Sequence, residues 1–170
     1  MKKDVFVMLI RCVLLPLLFF VALPSMSATD QKISALNSTD KTFLAQQRQT
    51  LEKYLGDDRS KENYKTAAGK LGLLRALLDQ KVFKPDQTHA FECMGVILGD
   101  AFAQKLHMEW IVVEDAKGRD LALRIPKTSI IIFPASMILK RVSRGESVDV
   151  FALFNGITDQ IESLKKQGVK

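Results

Sequence analysis

The segment from Glu109 to Ile125 constrains the fold more than any other part of the chain. Glu109 to Glu114 and Arg119 to Ile125 are runs rich in apolar and β-branched residues, separated by Asp115-Ala116-Lys117-Gly118. Asp in first place and Gly in fourth suit a type I turn, and the whole predicts a β-hairpin. A four-residue loop pairs Glu114 with Arg119. The register then runs through Val113 with Asp120, Val112 with Leu121, Ile111 with Ala122, Trp110 with Leu123 and Glu109 with Arg124. The first and last of these pairs join opposite charges and none joins like charges, so turn chemistry and cross-strand chemistry agree. Strand side chains alternate between faces, which puts Trp110 and Val112 with Leu121 and Leu123 on a core face. Ile111 and Val113 share the other, half-covered face with Asp120, Ala122 and Arg124.

The segment before the hairpin has helical periodicity. At about 100° per residue, Phe91, Gly95, Leu98, Gly99, Phe102, Ala103 and Leu106 fall on one broad face. Gly95, Gly99 and Ala103 form a stripe of small residues along it, which lets another backbone approach closely and predicts short-range packing on the hairpin or a second helix. Glu92, Asp100, Gln104 and Lys105 argue against the membrane dimerisation that such a stripe would signal in an apolar span. His89, Cys93, Asp100 and His107 align on the opposite side. A rise of about 1.5 Å per residue holds His89 and His107 about 27 Å apart, so one ion cannot gather the set. His89 and Cys93, spaced by four, remain as a base and a thiol, and two groups fall short of a closed zinc site. No metal and no cofactor is expected.

Leu98-Gly99-Asp100, Glu109-Trp110-Ile111-Val112-Val113-Glu114-Asp115, Gly118-Arg119-Asp120-Leu121-Ala122-Leu123-Arg124, Pro134-Ala135-Ser136-Met137-Ile138 and Lys140-Arg141-Val142 follow one another in a characteristic order. In that order and spacing the chain resembles the bacterial family known as domain of unknown function 3806. The resemblance spans about residues 65 to 165. It implies a domain boundary and supplies no catalytic residue.

The N-terminus reads as a targeting segment. Lys2, Lys3 and Arg11 precede an apolar run from Cys12 to Leu23, and Pro24-Ser25-Met26-Ser27-Ala28 follows as a small-residue cleavage zone. The apolar run is shorter than the roughly twenty residues a membrane span needs, so residues 1–28 are expected to be a cleaved signal peptide. No stable membrane span is expected after cleavage, and the location is expected to be periplasmic or secreted. Removal of Lys2, Lys3, Asp4 and Arg11 lowers the formal net charge from +6 to +4. That mild excess, without an aromatic and basic platform, points away from nucleic acid. Cys93 is then the only cysteine, so no intrachain disulfide is available and the core must hold the fold.

Residues 29–39 read as a flexible leader, and 40–170 as a single α+β domain. Asp40 is expected to cap a helix to about Leu55. Ser60 is expected to cap a second helix that stops before Lys84-Pro85, with Gly69 and Gly72 marking weak points or close contacts. Asp86 should open the small-residue helix. Ser129 to Phe133 is a continuously apolar third strand, Pro134 begins a helix stopped by Gly145, and Ser147 caps a last helix that Asn155-Gly156 bends or breaks. The architecture expected is N-terminal helices, a small antiparallel sheet and two C-terminal helices packed on it.

Polar residues near the hairpin offer weak site candidates: Asp100, Glu109, Trp110, Asp120 and Arg124. They form no acid, base and nucleophile set, so no catalytic residue is assigned. The leading reading is a non-catalytic module that binds a protein or another envelope component. A cell-envelope enzyme, hydrolase-like and using carboxylates near the hairpin, is the alternative. An immunity or inhibitor protein against an envelope-targeted toxin is a further one.

Overall fold

The computed structural model describes residues 31–169. The expected signal peptide, residues 1–28, lies outside the described residues. The chain runs through β1 (Lys32–Ala35), α1 (Ser38–Glu52), α2 (Asp58–Tyr64), α3 (Ala67–Asp79), α4 (Thr88–Leu106), β2 (Glu109–Asp115), β3 (Gly118–Arg124) and β4 (Ile131–Ile132). A 3-10 turn at Pro134–Ser136 leads into α5 (Met137–Ser143) and α6 (Val150–Lys166). The four strands form one antiparallel sheet in the order β1-β2-β3-β4, and the fold is α+β as expected.

The hairpin forms in the register read from the sequence, from Glu109 opposite Arg124 to Glu114 opposite Arg119, and closes with Asp115 opposite Gly118. Asp115 Oδ1 accepts from the Lys117 N–H at 2.7 Å, and Gly118 takes φ +140°, which L side chains rarely adopt. The third strand is shorter than expected, only Ile131–Ile132, because Ile130 already turns its carbonyl to the Ile125 N–H. Residues 32–35 depart from the leader expected there. Lys32 to Ala35 pair with Glu114 to Ile111 as an exposed edge strand, the backbone ladder supplying what the polar sequence lacks in apolar surface.

Helix boundaries follow capping chemistry. Asn37, not Asp40, caps α1: its side chain accepts from the Asp40 N–H, while the Asp40 carboxylate accepts from the Asn37 N–H, each at 2.9 Å. This is a capping box with Asp in the reciprocal position. The single helix expected from Ser60 is two helices. Asp57 caps α2, and Thr66 caps α3 by accepting from the Gly69 N–H at 3.0 Å. A side chain at Gly69 would collide with the Asn63 carbonyl, so that glycine allows the sharp corner between them. Gly72, by contrast, borders open space. Gln87 rather than Asp86 precedes α4, and α4 ends on His107 in the left-handed conformation. Asp149 rather than Ser147 caps α6, which runs unbroken through Asn155-Gly156.

Helix α4 is the central element, buried along nearly its whole length. Helices α1, α3, α5 and α6 pack against it, so the C-terminal helices join the sheet across α4. Phe102 of α4 stacks on Phe154 of α6 at 4.7 Å between centroids. The small-residue stripe makes both kinds of close approach expected of it. A side chain at Gly95 would strike the backbone of Ala135, and one at Gly99 would lie 2.5 Å from the Trp110 indole. Leu123 and Trp110 join this core on one sheet face. Ile111, Val113 and Ala122 form a second buried cluster on the other face, with Ile131 against it, so that face is more covered at its centre than the sequence suggested.

Candidate functional site

A cleft of about 790 Å³ opens between α1, the core face of the hairpin and the segment from Phe133 to Lys140. Besides that segment, three elements fix it. Helix α1 presents Asp40, Phe43 and Gln47, one turn apart on its inner side. Helix α4 contributes Glu92 and Val96, again one turn apart, and the hairpin contributes Trp110, Asp120 and Leu121. Phe133 and Phe43 stand at 37% and 47% exposure, while Trp110 is half-buried.

Trp110 is held from behind. Its Nε1 donates to Asp100 Oδ1 at 2.9 Å, and its ring packs over Gly99. Asp100 in turn accepts from Arg48 Nε at 2.6 Å and from the second guanidinium arm at 2.8 Å. A carboxylate gripped by a bidentate arginine and an indole N–H joins α1, α4 and β2 at one point. Asp100 is thus a partly buried structural anion whose two oxygens are taken up by Arg48 and Trp110.

Asp40 closes one end of the cleft. It is 5% exposed, accepts from Arg119 at 2.8 Å on each oxygen and also serves the α1 capping box. The Asn37 backbone N–H, followed by Arg119, holds its carboxyl below the usual aspartate range. Arg119 therefore does not form the cross-strand ion pair with Glu114 that the register suggested, since a charge-assisted pair on the buried side competes for it.

Cys93 does not line the cleft; it is fully buried, and its thiol donates at 2.8 Å to Oε1 of Gln47, which does. His89 Nε2 stands 3.7 Å from the sulfur. Burial pushes the Cys93 thiol up, the opposite of what a nucleophilic cysteine needs. Among the described residues no group of three or more His, Cys, Asp or Glu is placed to hold a metal ion.

The sequence candidates divide. Asp100 and Trp110 are bonded to each other, whereas Asp120 borders the cleft but its place in the register turns its side chain to the opposite sheet face from Trp110. Glu109 and Arg124 sit opposite each other on the far sheet face, away from the cleft, and make no ion pair among the described residues. Arg124 Nε is buried without a hydrogen-bond partner. Arg48, Gln47, Phe43 and Phe133 were not singled out. The usable signal was in α1, where Gln47 and Arg48 interrupt the apolar stripe between Leu44 and Leu51 at helical spacing.

A second, shallower depression of about 470 Å³ lies over Arg48, Glu52, Tyr64 and Lys70. Its polar groups serve the fold. Lys70 Nζ donates to the Tyr64 carbonyl at 3.0 Å and Gln104 Nε2 to the Lys65 carbonyl at 2.8 Å, satisfying the end of α2. Burial raises the Tyr64 hydroxyl and lowers the Lys70 ammonium from their ordinary values.

A crystal structure from Bacteroides thetaiotaomicron VPI-5482 has a similar fold, with a TM-score of 0.61 over 76% of this chain and 13% sequence identity. The chain spans 48%, about half, of that protein. No curated protein matches the chain. The model of one family matches residues 70–154, from α3 through the hairpin to the first turns of α6. The chain belongs to that family, the domain of unknown function (DUF3806).

Proposed function

We propose that this protein is an exported, non-catalytic binding module that engages a protein or another cell-envelope component through the cleft beside Trp110. The observation that carries the reading is the chemistry of the cleft wall. Phe43, Trp110 and Phe133 line it, while its most buried ionisable group, Asp40, is locked to Arg119. Pockets of about 300–1,000 Å³ with apolar walls and a few placed polar groups are the usual form of a ligand site. The hydrolase-like alternative is the weaker reading, because Asp100 is engaged by Arg48 and Trp110, Glu109 lies off the cleft, and the register turns the Asp120 side chain to the opposite sheet face. Export rests on the charged start, the apolar run and the small-residue zone of residues 1–28. Among the described residues no helix is long and apolar enough to cross a membrane.

Affinity capture from envelope extract, with the native protein beside a Phe43→Ser/Phe133→Ser variant, tests the reading. A reproducible partner lost in the variant at unchanged melting temperature is expected. A partner retained by the variant removes the cleft from the role. N-terminal sequencing of the exported form should begin near Ala28 or Thr29, and intact Met1 in a membrane fraction overturns export.

A further inference from the structure

We draw no further inference here: the strongest candidate, the outer edge of β1 with Ile33 exposed beside Val113, has no partner strand among the described residues, and nothing in the structure shows what covers it.

Discussion

Arg48 and Asp100, 52 residues apart in sequence, form a two-point ion pair in which the guanidinium reaches both carboxylate oxygens. The pair is partly screened, with side-chain exposures of 29% and 14%. Removing one partner of a fully buried pair costs about 3–5 kcal/mol, so here Asp100→Ala should cost about 2–3 kcal/mol in denaturant melts. Arg48→Lys keeps the charge and loses the fork, and should fall about midway between the native protein and Asp100→Ala. Equal stability of all three proteins would show that the pair contributes nothing.

Trp110 carries both a packing and a polar role, and two substitutions separate them. Trp110→Ala should cost about 3 kcal/mol, the low end for emptying an aromatic site because the ring is only half-buried. Trp110→Phe keeps most of the surface and gives up the bond to Asp100, for about 1–1.5 kcal/mol. Glu109→Ala, next in sequence but exposed, should stay within about 0.5 kcal/mol. Near-native unfolding of Trp110→Ala would contradict the packing of the hairpin on α4.

Glycines in the helices should respond in opposite directions. Gly95→Ala collides with the Ala135 backbone, and Gly99→Ala meets the indole and Pro134, so both should lower the melting temperature. Gly72 and Gly156 sit inside α3 and α6 with nothing near an added methyl, and alanine there should stabilise by about 0.5–1 kcal/mol each. Thermal melts of the four single variants check the sign at each position.

Cys93 should be chemically silent in the folded protein. A fully buried thiol bonded to Gln47, and raised in pKa by burial, offers little thiolate. Labelling with an aromatic disulfide should therefore wait for unfolding, and Cys93→Ala should keep binding intact. Rapid labelling of native protein at neutral pH would place the sulfur in an open site.

Acid stability should depend on Asp40. Its folded pKa is depressed below the ordinary 3.8, so the ionised carboxylate favours folding at every pH above that value. The contribution is lost as pH falls below about 3.8 towards the folded value, because the unfolded chain then binds the proton first. Asp40→Asn should flatten the decline in stability at low pH and leave the slope between pH 5 and 8 unchanged. An unaltered acid limb would move the titration to another carboxyl.

The hairpin register was legible to the residue because turn and alternation act between near neighbours, although neither charge pair read across it forms an ion pair among the described residues, Arg119 turning to Asp40 instead. The same locality explains Gly95 and Gly99, whose spacing announced a close approach. Caps were harder. Asp40, Asp57 and Asp149 each lie within three residues of another capping type, and the backbone decides among them by geometry that sequence spacing does not carry. The cleft was least legible, since Phe43, Phe133 and Trp110 come from distant parts of the chain and meet only when α1 has packed on α4. Asp100 was noticed for its charge, but its partner Arg48 was invisible until the two helices were laid side by side.

The pairing of β1 with β2 also sets an order of events. A ribosome delivers Lys32 to Ala35 before α1, α2, α3 and α4, and their ladder partners Ile111 to Glu114 come only after all four. Closing that long loop costs little more than closing a shorter one, because the entropy grows with the logarithm of length. What delays the strand is the absence of a template. The hairpin can zip locally, whereas β1 has no edge to pair with until β2 is in place.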